Sequence, residues 1–398
     1  MDFKSRISDE LAKARNASLL RHLRPLERSG NCTLMYGRNQ LIDFSSSDYL
    51  SLADDPEILA HIQDHASELG LGNVSSPLIS GYTDSHSTLE QQLALIYRHE
   101  TALLFPSGWQ ANVTLIDTLF GEGDVIFSDS MNHASLVDGC RLSKARTIVF
   151  NHCDYDNLSL KLSQLNADMH ENIFGIVSDS VFSIDGDTAD VAKLVELKRR
   201  HDAVLILDTA HALPRIGRDG ESLLGFDEYL HEADVITTSL SKYFAAGGGM
   251  VACSNNLRDF LINRARGYIY SSSYSTLLIV ALLAAIHRIE SDPSLVVTLK
   301  DNIEYLRANL AGTGFLPRSG KPDGPICAIP VRADKAVDAG EMLIAMGLLV
   351  VPVRYPTVPL GTAKLRIGIM RGHTRQMIDK LLQGLVELAK GGFSPLSG

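Results

Sequence analysis

Seven short apolar runs punctuate the middle of the chain: "TALLF" (101–105), "DVIFSD" (124–129), "RTIVF" (146–150), "IFGIVSDSVF" (173–182), "AVLILDTAH" (203–211), "DVITTSL" (234–240) and "GMVACS" (249–254). Several are apolar throughout instead of alternating with period two, the pattern of strands covered on both faces. Helix-length segments such as "DVAKLVELKRRHD" (190–202) lie between them. This alternation predicts an α/β domain built on a large, mainly parallel sheet.

Beyond the apolar helix "LLIVALLAAI" (277–286) the rhythm changes. "LKDNIEYLRANLAGTGF" (299–315) reads as a helix stopped at glycine, followed by a strand "PICAIPVR" (325–332) and a helix "AGEMLIAMG" (339–347). Strands "LLVVPVR" (348–354) and "AKLRIGI" (363–369) and a last helix "RQMIDKLLQGLVELAK" (375–390) complete a smaller α+β domain. At the other end, "MDFKSRISDELAKARNASLLRHLRPLE" (1–27) reads as one charged amphipathic helix with Ile7, Leu11, Leu19 and Leu20 on one side. The expected organisation is an N-terminal helix and strand segment (1–48), a large domain (49–288) and a small C-terminal domain (289–398). No internal repeat or low-complexity tract interrupts it.

Composition narrows the functional classes. With 398 residues, 45% of them hydrophobic, the chain can bury a sizeable core and still leave a cleft between domains. Its 37 basic and 47 acidic residues give a net charge of −10, and the absence of a basic block argues against a nucleic-acid partner. The longest apolar run, 277–286, has 10 residues, whereas a membrane span needs roughly 20. The N-terminus lacks the apolar core of a signal peptide, so a cytoplasmic protein without membrane contact is expected. Cys32, Cys140, Cys153, Cys253 and Cys327 form no C-x-x-C pair, which suits reduced thiols better than disulfides or zinc, and no metal is expected.

The usual cofactor cradles are missing. No G-x-G-x-x-G follows a strand, and no P-loop, G-x-S-x-G or H-E-x-x-H occurs. Ser239-Leu240-Ser241-Lys242 fits S-x-x-K, but the S-D-N and K-T-G companions of that pattern are absent. What remains are polar groups at the carboxyl ends of predicted parallel strands, where open α/β sheets bind ligands. Asp208 and His211 follow "AVLIL"; a structural ion pair would account for them equally well. Ser239 to Lys242 follow the next run but sit before three glycines, an unusual place for a solvated lysine. Ser107 and Gly108 in "FPSGWQAN" (105–112) would open a helix whose free N–H groups suit a phosphate, or would form a plain turn. His133 in "SDSMNHASL" is, by itself, more commonly a packing residue. Lysine, carboxylate, stacking aromatic and phosphate cradle together are the requirements of pyridoxal phosphate. The lysine amine condenses with its aldehyde, the carboxylate keeps the ring nitrogen protonated, and the helix N-terminus holds the phosphate.

The ordered series "IDFSSSDYLSLADDP", "LISGYTDSHSTLEQQLA", "FPSGWQAN", "MNHASLVDG", "DSVFSIDGD", "DTAH", "SLSK", "IYSSSYS" and "RYPTVPLGTAKLRIGI" resembles the α-oxoamine synthases, a branch of the aspartate-aminotransferase-like (fold type I) pyridoxal phosphate enzymes. The resemblance spans almost the whole chain. It implies a fold type I transferase and a decarboxylative condensation of an α-amino acid with an acyl thioester. "LLRHLRP" and the C-terminal motif point to L-alanine and a pimeloyl thioester, as CoA or carrier-protein form, in biotin synthesis. By position, Lys242 would be the Schiff-base lysine and then the α-proton base, His133 would stack on the ring, and Asp208 would pair with its nitrogen. His211 and Ser183 would reach the phenolic oxygen or substrate; Ser107, Gly108, Trp109 and Ser239 would lie at the phosphate and ring. Ser272 would reach the phosphate of the partner in a homodimer with shared sites. Substrate contacts would come from Arg21, Ser47, Ser76 and Arg354, the arginines because guanidinium forks suit carboxylates.

Three departures bear on specificity. Ser47 stands where the family usually has asparagine, a glycine-rich loop reads "GNVSSPL" (72–78), and "DTAHALPRIG" (208–217) replaces small residues by Ala212, Leu213, Pro214 and Arg215. They leave the acyl chain and amino acid open, with a glycine or serine acyltransferase or a signal-molecule synthase as alternatives. An aminotransferase or lyase on the same fold, or a silent binding paralogue, are more distant ones.

Overall fold

The seven apolar runs pair into one sheet in the computed structural model, which describes residues 2–17, 19–70, 72–164, 172–217, 220, 222–223, 229–315 and 324–394. Its strands are β4 (Thr101–Phe105), β5 (Val125–Asp129), β6 (Arg146–Phe150), β7 (Phe174–Asp179), β8 (Val204–Asp208), β9 (Val235–Ser239) and β10 (Gly249–Cys253), after three N-terminal strands β1 (Glu27–Gly30), β2 (Thr33–Tyr36) and β3 (Asn39–Asp43). The order across the sheet is β4-β10-β9-β8-β7-β5-β6. Strands β6, β5, β7, β8 and β9 are mutually parallel, and only β10 runs against its neighbours.

The runs are apolar throughout because successive side chains enter two different cores. Ala102, Leu104, Leu205, Leu207, Met250 and Ala252 point into one; Leu103, Phe105, Ile206, Val251 and Cys253 point into the other. On the second face lie α4 (Gly108–Leu119), α5 (Ala134–Leu142), α8 (Asn255–Arg264) and α9 (Arg266–Ile269). The first is covered by α2 (Pro56–Leu69), α3 (Asp84–Ile96), α6 (Tyr155–Ser163), α7 (Val191–His201) and α10 (Thr276–Ser291), the last being the long apolar run. Side-chain caps start these helices where the sequence offers an acceptor: Asp55 accepts from Glu57 and Ile58 N–H, with Pro56 next, and Asp190 accepts from Lys193 N–H.

The rest of the chain makes two smaller sheets. β1, β2 and β3 form an antiparallel meander that β12 (Leu348–Leu349) extends in parallel beside β3. β11 (Ile326–Pro330), β14 (Lys364–Gly368) and β13 (Val351–Val353) make the other, in that order, with α11 (Ser294–Leu310), α12 (Ala336–Ala345) and α13 (Arg375–Lys390) packed beside it. The run "LLVVPVR" is therefore not one strand but two, in different sheets. Pro352 has no N–H to give to a central ladder, and β13 accordingly takes an edge.

The N-terminal helix is also shorter than its pattern suggests. α1 spans Phe3–Asn16 and buries none of its residues, so its own backbone ladder, the Asp2 cap and the exposed Lys13–Glu10 pair hold it, with no core packing to extend it further. Leu19 and Leu20 leave the helix and are half-buried instead. Among the described residues no helix is long and apolar enough to cross a membrane, and all five cysteines are free.

The small sheet docks on the large one through the turn after β7. Lys364, its side chain 3% exposed, pairs with Asp185, and the Arg366 Nε donates to the Ser183 carbonyl at 2.6 Å. Gly186, with φ of 73°, passes so close to β11 that a Cβ would lie 2.4 Å from the Ile326 carbonyl oxygen. Gly186→Ala adds both a left-handed strain and this clash. We expect it to lower the unfolding free energy by on the order of 2 kcal/mol or more, read as a lower urea midpoint at unchanged slope.

Candidate active site

Parallel strands covered on both faces leave their polar residues at the tips. β5, β7, β8 and β9 end in Asp129, Asp179, Asp208 and Ser239, and β4 leads into Ser107, all on one edge of the sheet. A cavity of roughly 200 Å³ opens there, and Asp208, His211, Lys242, His133 and Gly108 are among its lining residues.

Asp208 is buried, with one oxygen accepting the Ala210 N–H at 2.8 Å and the other the Asn112 Nδ2 at 2.7 Å. Its strand neighbours β9, with Asp208 opposite Thr237, so the two tips stand side by side. Beyond β9, Ser239 and Ser241 share a hydroxyl–hydroxyl bond of 2.8 Å, and the next turn brings the Lys242 Nζ to 2.8 Å from the His211 Nε2. The other nitrogen of His211, Nδ1, lies 2.7 Å from the Tyr49 hydroxyl, and Tyr243 donates to its carbonyl at 3.0 Å. His211 is thus held on every side.

The glycines after Lys242 serve the turn more than the cavity. Gly247 and Gly248 have φ of 81° and 83°, where a side chain is strained. A Cβ at Gly248 would lie 2.8 Å from the Tyr274 ring, and one at Gly249 would lie 2.4 Å from the Gly108 nitrogen. Close approach is needed again where α4 begins: a Cβ on Gly108 would sit 3.0 Å from the Ser239 Cβ. Ser107 caps α4 by accepting from the Gln110 N–H at 3.1 Å, and the first N–H groups of the helix lie outside its hydrogen-bond ladder beside Ser239. Trp109 stands half exposed at the rim.

His133 caps α5 with its Nδ1, which lies 2.7 Å from the Ser135 Oγ, while its N–H donates to Asp179 at 2.7 Å. The residue is exposed and lines the cavity. Burial governs the charges here. It pushes the Lys242 amine down to about 8 against the attraction of Asp208 and Asp179. His211 lies well below the ordinary histidine range, by burial first and then by the positive charges of Lys242 and Arg366. Burial lowers His133 as well, and burial beside the Asp208 charge raises Asp179 well above the usual carboxylate range. At neutral pH the cavity therefore holds neutral imidazoles and a lysine that gives up its proton readily.

The remaining predicted residues fall into other places. Ser183 meets the site through its carbonyl, which binds Arg366, and the Ser47 Oγ accepts from Tyr49 at 3.5 Å. Ser76 starts the turn Pro77–Gly81, and its carbonyl accepts from Ile79 and Gly81. Ser272 is exposed on the neighbouring segment, tied to the same loop by Ser273 N–H to the Ser75 carbonyl. Arg21 and Arg354 lie near a separate cavity of about 810 Å³ under the chain that follows α1. There Arg21 donates to Thr357 at 2.9 Å and Arg354 to the Leu20 carbonyl at 2.9 Å.

Sequence reasoning passed over Asn112, Ser135, Asp179, Tyr49 and Arg366. Asp179 carried a usable signal, since it ends an apolar strand just as Asp208 does. Arg366, an arginine inside the apolar strand "AKLRIGI", carried another. Its Nη2 lies 3.4 Å from the Tyr49 hydroxyl.

Known proteins resemble the chain over most of its length. The sequence profile of the family "Aminotransferase class I and II" matches residues 39–385. The 8-amino-7-oxononanoate synthase of Lysinibacillus sphaericus is 35% identical over 97% of this chain and 98% of its own length. A serine palmitoyltransferase structure from Sphingomonas wittichii superposes with a TM-score of 0.91 at 24% identity, covering 99% of this chain and 100% of its own, and shows the shared fold. The crystal structure of 8-amino-7-oxononanoate synthase from Francisella tularensis gives 0.74 at 25% identity over 88% of this chain and 98% of its own.

The depressed lysine has a measurable consequence. Between pH about 8 and 10.5 the unfolded chain holds the Lys242 proton and the folded chain does not, so the burial penalty is complete below pH 8 and fades as pH rises through this window. Lys242→Met, in protein freed of bound small molecules, should exceed wild type in stability by on the order of 2 to 3 kcal/mol at pH 7. Urea denaturation should show that advantage shrinking towards pH 10.5; a constant difference would refute the assignment.

Proposed function

The chain belongs to the class I and II aminotransferase family, and on that premise we propose that it is a pyridoxal phosphate-dependent α-oxoamine synthase. Its reaction joins L-alanine to the acyl carbon of a pimeloyl thioester and releases carbon dioxide and free thiol. The product is 8-amino-7-oxononanoate, from which its curated relative takes its name. One observation carries the reading: an amine and a carboxylate, Lys242 and Asp208, face one cavity from the tips of adjacent parallel strands, with the N-terminus of α4 opening on the same space.

The residues suit the cofactor. The α4 N-terminus, pressed against Ser239 at a glycine that cannot be widened, together with Ser107 and the Ser239 hydroxyl, makes a phosphate cradle. Asp208, fixed by two donors, is the partner for a protonated ring nitrogen, and the ring of His133, which lines the same cavity, is the stacking group. When bound, pyridoxal phosphate supplies an aldehyde for amine condensation and a ring that accepts the electron pair left at the amino acid's α-carbon.

The chain's own groups do the remaining work. Lys242, deprotonated easily because it is buried, takes the α-proton of the amino acid and returns a proton later. Neutral His211 holds that amine at hydrogen-bond distance and is itself oriented by Tyr49. Arg366, anchored on the Ser183 carbonyl near Tyr49, is the fork for the amino acid carboxylate, with Ser47 beside the same tyrosine. Arg21 and Arg354, at the outer cavity, are the pair for the distal carboxylate of the acyl chain. We read the protein as a homodimer, because Val74, Ile79 and Tyr270, respectively 103%, 81% and 74% exposed, gather on the loops that carry Ser76 and Ser272. A second copy would cover this apolar patch and bring Ser272 to its neighbour's site.

Thiol release measures the reaction directly. With cofactor-loaded protein and pimeloyl-CoA, release is expected with L-alanine and not with glycine or L-serine. Release only with another pair would keep the chemistry and move the pathway; none with any pair would refute the proposal. Lys242→Ala should lose the yellow colour of the loaded protein and slow release by about 10²- to 10⁴-fold.

A further inference from the structure

Two polar side chains at the floor of the cavity have no part in the reaction as described. Asn112 on α4 is 2% exposed and Ser135 on α5 is 0% exposed. The two helices approach closely enough to bring them together: a Cβ at Gly139 would lie 3.0 Å from the Ile116 Cβ and 3.3 Å from the Asn112 carbonyl. The Asn112 Nδ2 lies 2.7 Å from Asp208 Oδ2 and 2.9 Å from Ser135 Oγ, while its Oδ1 is buried with no hydrogen-bond partner.

The carboxylate of Asp208 settles the direction of the network. Turning the amide over would set Oδ1, an acceptor, against the Asp208 carboxylate, which also only accepts. The amide must therefore give one hydrogen to Asp208 and the other to Ser135, even though Oδ1 then goes unpaired. A serine hydroxyl has one hydrogen. Because Ser135 accepts from Asn112, that hydrogen is free to donate to the His133 Nδ1 at 2.7 Å, where the Ser135 N–H also points, at 3.3 Å. Nδ1 is thus an acceptor, and the proton of the neutral ring belongs on Nε2. The order is Asp208, Asn112, Ser135, His133, and the donors diverge from Asn112: one N–H points to Asp208, while the other and then the Ser135 hydroxyl point towards His133.

We propose that Asn112 and Ser135 are positioning residues that make the ionised Asp208 carboxylate select the tautomer and orientation of His133. The proposal rests on the functional reading above only for what the two ends hold: Asp208 the ring nitrogen, His133 the ring face. The relay ensures that the stacking imidazole stays neutral with its Nδ1 engaged, so it neither repels a protonated ring nor swings out of plane with it. The charged and titratable groups around His133 are Asp179 on β7, Asp208 and His211 at the tip of β8, Lys242 after β9 and Asp138 on its own helix. The burial-lowered affinity of His133 for a proton agrees with a hydroxyl donating to Nδ1.

The test uses cofactor-free protein carrying ¹³Cε1-labelled histidine, with the His133 signal identified by its loss in His133→Gln. In wild type this signal should titrate below the ordinary histidine midpoint of about 6.5. Ser135→Ala removes the donor and should raise the midpoint, strengthening proton binding about threefold or more; Ser135→Thr keeps the hydroxyl and should restore it. Asn112→Ala frees the Ser135 hydroxyl to turn toward Asp208 and should raise the midpoint as Ser135→Ala does, so either variant decides if the other does not fold. An unchanged midpoint in the alanine variants, or an equal shift in Ser135→Thr, overturns the relay. A second readout, pyridoxal phosphate affinity by equilibrium dialysis, should weaken in the alanine variants and recover in Ser135→Thr. Wild type that binds no pyridoxal phosphate would sink the functional reading, while the histidine titration would still decide the relay.

Discussion

The Asp208 carboxylate terminates a strand whose preceding residues, Leu205, Ile206 and Leu207, are wholly buried. A charge in that position is tolerable only if donors reach it, since burying an unpaired carboxylate costs several kcal/mol, a large part of the net stability of a domain. Here the donors are the Ala210 N–H and the Asn112 amide. Meeting that requirement fixes much else: α4 must bring Asn112 to the tip of β8, Gly108 must let the helix start lie against Ser239 of β9, and Gly249 must leave room where β10 passes the same helix start. Site geometry and sheet packing are one constraint seen from two sides.

A second set of charges gathers around the turn after β7. Lys364 and Asp185 pair between β14 and the turn after β7, and two residues further on Asp187 meets His152, whose other nitrogen binds Asp129 at 2.9 Å. Burial alone would lower His152, but the hydrogen bonds it donates to these two aspartates outweigh it and push the imidazole up to about 12. Asp129 also accepts the Met131 N–H at 2.8 Å, so the turn carrying His133 is held from behind by the same charge. Such pairs add little net stability once desolvation is counted, but removing one partner strands the other. Their effect is to fix where β14, which carries Arg366, and the turn that carries His133 lie against the tip of β7.

Much of this was readable in the residues. Apolar runs separated by helix-length segments predicted the sheet, because strands buried on both faces admit little else, and the seven runs are the seven strands. The residues grouped from strand ends, Asp208, His211, Lys242, His133 and Gly108, do line one cavity. The errors are equally instructive. "LLVVPVR" divides between two sheets because a run of valines does not show which neighbour each will pair with, and only Pro352 hinted at an edge. Asn112 lay inside a quoted motif and was still missed, since its role depends on a carboxylate 96 positions away.

What the sequence by itself determined is the layering and the kind of chemistry. Periodicity and strand-end polarity are local properties, and a lysine, an aspartate and a helix start following apolar strands have few other reasons to recur. Tertiary structure alone decided partnership and direction. Arg366 reaches Tyr49 from a strand of another sheet, Lys364 finds Asp185, and the accept-only Asp208 carboxylate turns the Asn112 amide so that its other N–H faces Ser135 beside His133. These depend on which surfaces meet at a few ångströms, and hydrogen-bond direction is set by the full count of donors and acceptors at that contact, which no linear pattern of residue types contains.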